Sequence, residues 1–239
     1  MLMKKSFYVL FTTFALLFST VGAFLASPVE SSVTAQAVKQ KSTVVIDAGH
    51  GGEDGGASIY GEVTEKELNL LIAQNLADIL RFAGFKVIMT RTEDILLYDK
   101  NSDYKGHKKS QDLANRLRIA RESGGGILVS IHMNAFPEAK YSGLQVYYSK
   151  NDEASLLLAQ KIQGYTKTTL LQSNERKVKA ADSNIYLLDR YENVSVLIEC
   201  GFMSNPDEYE RLCSEEYQRQ LAAVFFSAIS DFEDSAENK

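Results

Sequence analysis

Two hydrophobic rhythms alternate along the chain. Short, mostly apolar runs occupy residues 43–47, 85–90, 127–135 and 194–199, and 143–148 is another strand with alternating character. They are rich in Val, Ile and Leu, the composition of strands covered on both faces. Between them, apolar residues recur at helical spacing. Leu68, Ile72, Leu76, Ile79 and Leu80 do so across 66–82, and Leu113, Leu117 and Ala120 across 110–122. Residues 153–171, 206–213 and 216–232 read as further helices, and 185–188 as one more short strand. Gly84 ends one helix, and Gly124, Gly125 and Gly126 end another. The polar stretch 94–109, with Gly106 and several lysines, reads as a surface loop. Strands alternating with helices predict a single α/β domain, a mostly parallel twisted sheet with helices on both faces.

The first 42 residues follow a different pattern. Lys4 and Lys5 precede an uncharged, mostly apolar run over 6–26. A basic flank before an apolar core is the pattern of a secretory signal or signal-anchor. The run is long enough to span a bilayer, for which roughly 17–25 residues are needed. Residues 27–42 are polar and read as a linker. The expected organisation is therefore a signal or anchor with linker over 1–42 and a catalytic domain over 43–239. That domain is expected outside the cytoplasm, at the wall or membrane surface.

Charge and cysteine content remove some classes. The net charge is −5 and no basic stripe is present. Nucleic-acid binding needs clustered Lys and Arg to displace counterions, so no nucleic acid is expected. Cys200 and Cys213 are the only cysteines and make no disulfide framework. They read as free thiols packed as small apolar groups.

Histidine is scarce: His50, His107 and His132 are the whole set. His50 follows the first strand inside Asp47-Ala48-Gly49-His50-Gly51-Gly52, and His132 lies at the end of a later one. Glu199 ends the apolar run Val194-Ser195-Val196-Leu197-Ile198. Strand C-termini in a parallel sheet share one edge, so these three side chains can meet. Each has an ordinary alternative. A strand-end histidine often satisfies a backbone group, and Glu199 could be a helix cap or the partner of Arg116 or Arg118. Glu65 opens the helix over 66–82, where an acid is favoured by the helix dipole. Glu53, Asp54, Glu62 and Glu67 lie close by, and spacing does not choose among them. Two histidines and one carboxylate would leave an open position on a tetrahedral Zn²⁺, the plan of a catalytic site.

Several segments occur together in a recognisable order. They are Asp47 to Gly52, Thr90-Arg91-Thr92, Leu113-Ala114-Asn115-Arg116 and Ser130-Ile131-His132-Met133-Asn134-Ala135. Glu65-Lys66-Glu67-Leu68-Asn69-Leu70 and Leu197-Ile198-Glu199-Cys200-Gly201-Phe202-Met203-Ser204-Asn205 complete the set. From about Thr43 to the C-terminal helix the chain resembles the zinc-dependent N-acetylmuramoyl-L-alanine amidases of the Amidase_3 type. It departs from them at Ala48, where proline is frequent, and at Cys200, where a small or β-branched residue is usual. The resemblance implies that His50, Glu65 and His132 hold Zn²⁺ and that Glu199 is the catalytic carboxylate. It thereby selects Glu65 from its acidic neighbours. It also implies hydrolysis of the amide joining the lactyl group of N-acetylmuramic acid to the first L-alanine of the peptidoglycan stem.

Within the family the chain is most similar to the CwlD-type amidases of spore-forming bacteria. It shares a short N-terminal segment, one catalytic domain and a lysine-containing insert between Arg91 and Arg116. That likeness implies a part in forming muramic-δ-lactam in spore cortex. Asn134, Arg91, Ser183 and Asn184 are candidate contacts to sugar or peptide, and an activating protein partner is left open. Two other classes fit parts of the pattern: a zinc exopeptidase on a related sheet, and a wall-binding protein that keeps zinc without turnover. Retention of Glu199 speaks against the second.

Overall fold

Strand and helix alternate along the chain as their hydrophobic periods demand. The computed structural model describes residues 41–237 except 62, 100 and 102–104. The N-terminal apolar run and nearly all of the linker lie outside the described residues. The elements are β1 (Thr43–Ala48), α1 (Glu65–Phe82), β2 (Lys86–Met89), α2 (Lys108–Glu122), β3 (Ile127–Asn134) and β4 (Gln145–Tyr148). They continue with α3 (Ala154–Thr169), β5 (Lys179–Ala180), α4 (Tyr186–Arg190), β6 (Ser195–Phe202), α5 (Pro206–Cys213) and α6 (Glu215–Glu237).

The six strands form one sheet in the order β2-β1-β3-β6-β4-β5. The pairs β1–β2, β1–β3 and β3–β6 are parallel, and β4 runs antiparallel to β6. The C-terminal ends of β1, β3 and β6 and the start of β4 therefore share one edge. The register aligns Asp47 with Ser130, His132 with Glu199, and Gln145 with Glu199.

Side chains alternate across the sheet, so its two faces receive different residues. Val44, Ile46, Val129, Ile131, Val146, Val196 and Ile198 share one face in a single apolar cluster. Leu68, Ile72 and Leu76 of α1, Leu158 and Ile162 of α3, and Leu221, Phe225 and Ile229 of α6 pack in the same cluster. The other face holds a smaller cluster of Val45, Leu128 and Leu197 with Leu117 of α2 and Leu187 and Leu188 of α4.

Two elements differ from the expected pattern. Residues 185–188 form no strand: α4 takes Tyr186–Arg190 instead. Asn184 N–H donates to Asp182 Oδ1 (2.8 Å) and starts the turn, and Asp189 N–H reaches Ile185 O (3.0 Å). A four-residue apolar run carries too few positions for its period to separate strand from helix. The second is β5, a two-residue exposed edge strand bearing Lys179, which no hydrophobic pattern announces. At the opposite edge β2 is four residues long and begins with exposed Lys86.

Candidate active site

Gly-rich chain after β1 brings His50 to the sheet edge. His50 has φ 60°, the one positive value on a non-glycine residue among those described. Side chains rarely adopt that conformation, and it persists only where surroundings over-determine it. Here they do so through two buried arginines. Arg116 donates to the carbonyls of Ala48 (2.7 Å) and His50 (2.7 Å). Arg91 donates to those of Ala48 (2.8 Å), Gly49 (3.0 Å), Lys66 (2.7 Å) and Glu93 (3.1 Å). Three consecutive carbonyls of the turn are thus pinned. Arg91 is 2 % exposed, so it positions this turn and does not face substrate as expected from sequence.

Asp47 anchors the same network from below. Its carboxylate accepts from Thr90 Oγ1 (2.8 Å), Ser130 Oγ (2.7 Å) and Arg116 Nη1 (2.8 Å). Arg116 Nε also donates to Asp112 Oδ2 (2.7 Å). Burial alone would raise the Asp47 pKa, but Arg116, His132 and Ser130 lower it to about 2.

Glu65 reaches the site because α1 starts beside it. Thr64 N–H donates to Glu67 Oε2 (2.7 Å), which turns Glu67 back onto the helix end. Glu65 points inward instead and is 4 % exposed. Its Oε2 accepts from Ala57 N–H (2.8 Å), and its Oε1 accepts from Met133 N–H (3.1 Å). His50 Nε2 lies 3.3 Å from Glu65 Oε1, and His132 Nδ1 lies 3.0 Å from the same atom. His50 Nδ1 is 2.9 Å from Asp54 Oδ1, which orients the ring. One ligating atom from each of His50, Glu65 and His132 falls within 4.8 Å of the other two.

This set suits a small divalent cation. Tetrahedral bonds of about 2.0–2.1 Å place ligand atoms roughly 3.4 Å apart, close to the two separations to Glu65. Two glycines clear space for the rings. A Cβ at Gly49 would fall 2.3 Å from His132 Nε2, and one at Gly56 2.5 Å from Glu65 Oε2. Burial disfavours the Glu65 carboxylate, yet hydrogen bonds to His132 and His50 hold its pKa well below the ordinary range. Burial likewise opposes charge on His50, but Glu65 and Asp54 raise its pKa.

Glu199 stands across the β3–β6 pair from His132. Its Oε2 is buried without a hydrogen-bond partner. Burial pushes this carboxyl up to about 7, His132 and His50 opposing and Glu65 reinforcing the shift. Neither Arg116 nor Arg118 pairs with it. Arg116 serves Asp47 and Asp112, and Arg118 serves Glu122. A cleft of about 250 Å³ is lined by His50, Asp54, His132, Asn184 and Glu199. Asn184 therefore faces this cleft. His107 is exposed at the start of α2 and is not part of the His50, Glu65 and His132 group.

The N-acetylmuramoyl-L-alanine amidase family model (Amidase_3) matches residues 44–231. The chain belongs to that family. The germination-specific N-acetylmuramoyl-L-alanine amidase of Bacillus subtilis is 34% identical over 186 residues, spanning 78% of this chain and 77% of the relative. The CwlD amidase of Clostridioides difficile, solved in complex with the GerS lipoprotein, superposes with a TM-score of 0.75 at 38% identity. That match covers 80% of this chain and 98% of CwlD. An N-acetylmuramoyl-L-alanine amidase from Clostridium difficile gives a TM-score of 0.69 at 30% identity, covering 82% and 98%. This amidase thus places the expected residues His50, Glu65, His132 and Glu199 along one sheet edge. Sequence reasoning did not read the place of Asp54 beside His50, or of the two arginines under the turn. A buried Asp47 flanked by Ile46 and Ala48 was the available signal, because a buried carboxylate requires a partner.

Proposed function

We propose that this amidase holds one Zn²⁺ through His50, Glu65 and His132, with Glu199 as the proton carrier in hydrolysis of the amide between the N-acetylmuramic acid lactyl group and L-alanine. The observation that carries this reading is the convergence of three ligating atoms beside an unpaired carboxylate in one cleft. A Zn²⁺ bound there supplies Lewis-acid polarisation of a carbonyl oxygen. Glu199 accepts a proton from the attacking water as the C–O bond forms. It returns that proton to the alanine nitrogen as the C–N bond breaks, leaving a lactyl carboxylate and a free amine. Arg91 and Arg116 keep the His50 turn rigid throughout, so that little reorganisation accompanies reaction.

The substrate on this reading is peptidoglycan, and the setting is the spore cortex, supported by likeness to the germination-specific amidase and to CwlD. The complex of CwlD with the GerS lipoprotein supports a protein partner for this chain as well. Residues 1–42 serve as signal or membrane anchor and linker, supported by Lys4, Lys5 and the apolar run over 6–26. The catalytic domain over 43–239 then works outside the cytoplasm.

Digestion of purified peptidoglycan, followed by mass spectrometry of the new ends, tests the reaction. Release of L-alanine amino termini is expected. Cleavage only of free peptides would point to an exopeptidase, and binding without cleavage to a wall-binding protein. Elemental analysis should find one zinc per chain and much less in His50→Ala and His132→Ala. Full occupancy in both variants would remove the ligand assignment. Protease added to intact protoplasts should digest the domain, and protection would contradict the location.

A further inference from the structure

Among the described residues, seven of the nine arginines lie against a carboxylate. Arg91 is one exception, and its donors are used on four backbone carbonyls. Arg176 is the other, and its situation differs. Its guanidinium is half-buried and lies 4.4 Å over the Phe202 ring. Nε donates to Ser142 O (2.7 Å), and Nη1 lies 3.5 Å from Gln145 Oε1. These contacts are all to neutral groups. An arginine fixed by stacking and neutral hydrogen bonds, with no anion, keeps its charge and part of its donor fork for a ligand.

The surroundings favour a negative one. Arg176 lines a cleft of about 440 Å³ with Lys140, Tyr141, Asn174 and Arg211. The two acids there are engaged: Glu175 with Lys167 (2.9 Å), and Glu208 with the backbone N–H groups of Gly143 (2.9 Å) and Phe202 (2.8 Å). Lys140 lies over the Tyr141 ring. The sequence around Arg176 adds Lys177 and Lys179, a local positive run in a chain of net charge −5.

The location ties this charge to the reacting edge. Gln145 is the cross-strand partner of Glu199, and such partners share a face with their Cα atoms about 5 Å apart. The Gln145 side chain also donates to Lys177 O and so bridges to the Arg176 segment. Adding the reach of that side chain, about 4 Å, and its 3.5 Å contact bounds the guanidinium within roughly 13 Å of the Glu199 Cα. Two residues of extended peptide span roughly 7 Å, so a chain running from the scissile amide toward β4 would bring the side chain of its second residue within reach of Arg176.

We propose that Arg176 is a specificity-determining residue that binds a free carboxylate of the acidic stem peptide, about two residues beyond the amide that is cut. The proposal rests on the amidase reading for its substrate. It predicts that the enzyme distinguishes a second stem residue carrying a carboxylate from the same residue carrying a carboxamide.

The test uses L-alanyl-γ-D-glutamate and its α-carboxamide, titrated calorimetrically into the zinc-loaded full chain. Soluble N-acetylmuramoyl conjugates of both peptides serve for kinetics. Wild type should bind the carboxylate dipeptide about 10–100-fold more tightly than the carboxamide, the range of a charge-assisted hydrogen bond. In Arg176→Gln that ratio should collapse to about one, with the loss appearing in KM for the carboxylate conjugate. Arg176→Lys, which keeps the charge without the fork, should fall between. Melting of each variant separates lost binding from lost fold, and Arg176→Lys carries the test where Arg176→Gln unfolds. Equal affinity for the two dipeptides in wild type, no measurable binding of either, or an unchanged preference in Arg176→Gln would overturn the proposal. Failure of the amidase reading shows separately, as absence of new amino termini from peptidoglycan while the calorimetric preference stands or falls alone.

Discussion

On one face of the sheet, Val44, Ile46, Val129, Ile131, Val196 and Ile198 meet three long helices in one apolar cluster. One residue along each strand, on the other face, stand Asp47, Ser130, His132, Glu199 and Gln145, under the shorter cover of α2 and α4. The same backbone thus carries an apolar layer and a polar one a side chain apart. The apolar face draws its stability from burial, which is non-directional and tolerates repacking. The polar face depends on directed hydrogen bonds that must all be satisfied. At Glu199 that satisfaction is withheld from one carboxylate oxygen, on the face where the cleft opens.

The sharpest way to separate the faces is Glu199→Gln. General acid–base groups contribute about 10²–10⁴-fold in rate, so kcat should fall by that order. Zinc content and melting midpoint should hardly move, since no ion pair is broken. Melting and amide cleavage measured on one preparation check this, and a folded, zinc-loaded, fully active variant would remove Glu199 from the mechanism.

Arg116→Met attacks the polar face where it is satisfied. It leaves Asp47 and Asp112 buried without their partner, a loss of about 3–5 kcal/mol. Zinc affinity should weaken as well, because the His50 carbonyl loses its donor. Denaturant unfolding and a chelator competition read the two effects. An unchanged zinc affinity would show that the turn holds its shape without Arg116.

Leu76→Ala on the apolar side should cost about 2–5 kcal/mol in the same unfolding assay, as for other fully buried leucines. Below the melting transition its zinc affinity and kcat should stay near wild type. Loss of zinc in the folded state would mean that the two faces are coupled.

Acid should act through the polar face. Asp47 has a folded pKa lowered from 3.8 to about 2. Its contribution is complete above the unfolded value and is lost as pH falls from about 4 through 2, amounting to about 2 kcal/mol. Melting curves between pH 5 and 2 should show a steeper decline for wild type than for Asp47→Asn. The smallest effect belongs to His107→Ala, in the exposed start of α2, which should leave zinc content and activity as they were.

The apolar face was the more legible of the two. Val and Ile runs announce β1, β3 and β6, and the spacing of Leu68, Ile72 and Leu76 announces α1, because one period governs each element. His50, His132 and Glu199 were readable as polar residues ending such runs. Glu65 was not, since four acids surround it. What distinguishes it is a helix cap that turns Glu67 away, a geometric fact rather than a compositional one. The network of Asp47 with Arg116 joins residues 69 apart in sequence. Arg116 lies in a charged helix that looks solvent-facing until the fold brings it to β1. The short α4 was misread because two adjacent buried leucines suit a helical turn and a strand run equally.

The margins of the sheet have a consequence for self-association. A parallel sheet ends in unpaired backbone groups that can recruit a second copy of the chain. Here one margin is a two-residue strand bearing Lys179, and the other is four residues long and starts at exposed Lys86. A neighbour adding itself to β5 would gain few ladder hydrogen bonds while approaching a positive side chain. Copies crowded along a repeating polymer would therefore gain little from pairing edge to edge, because neither margin is a long, uncharged template for growth into fibres.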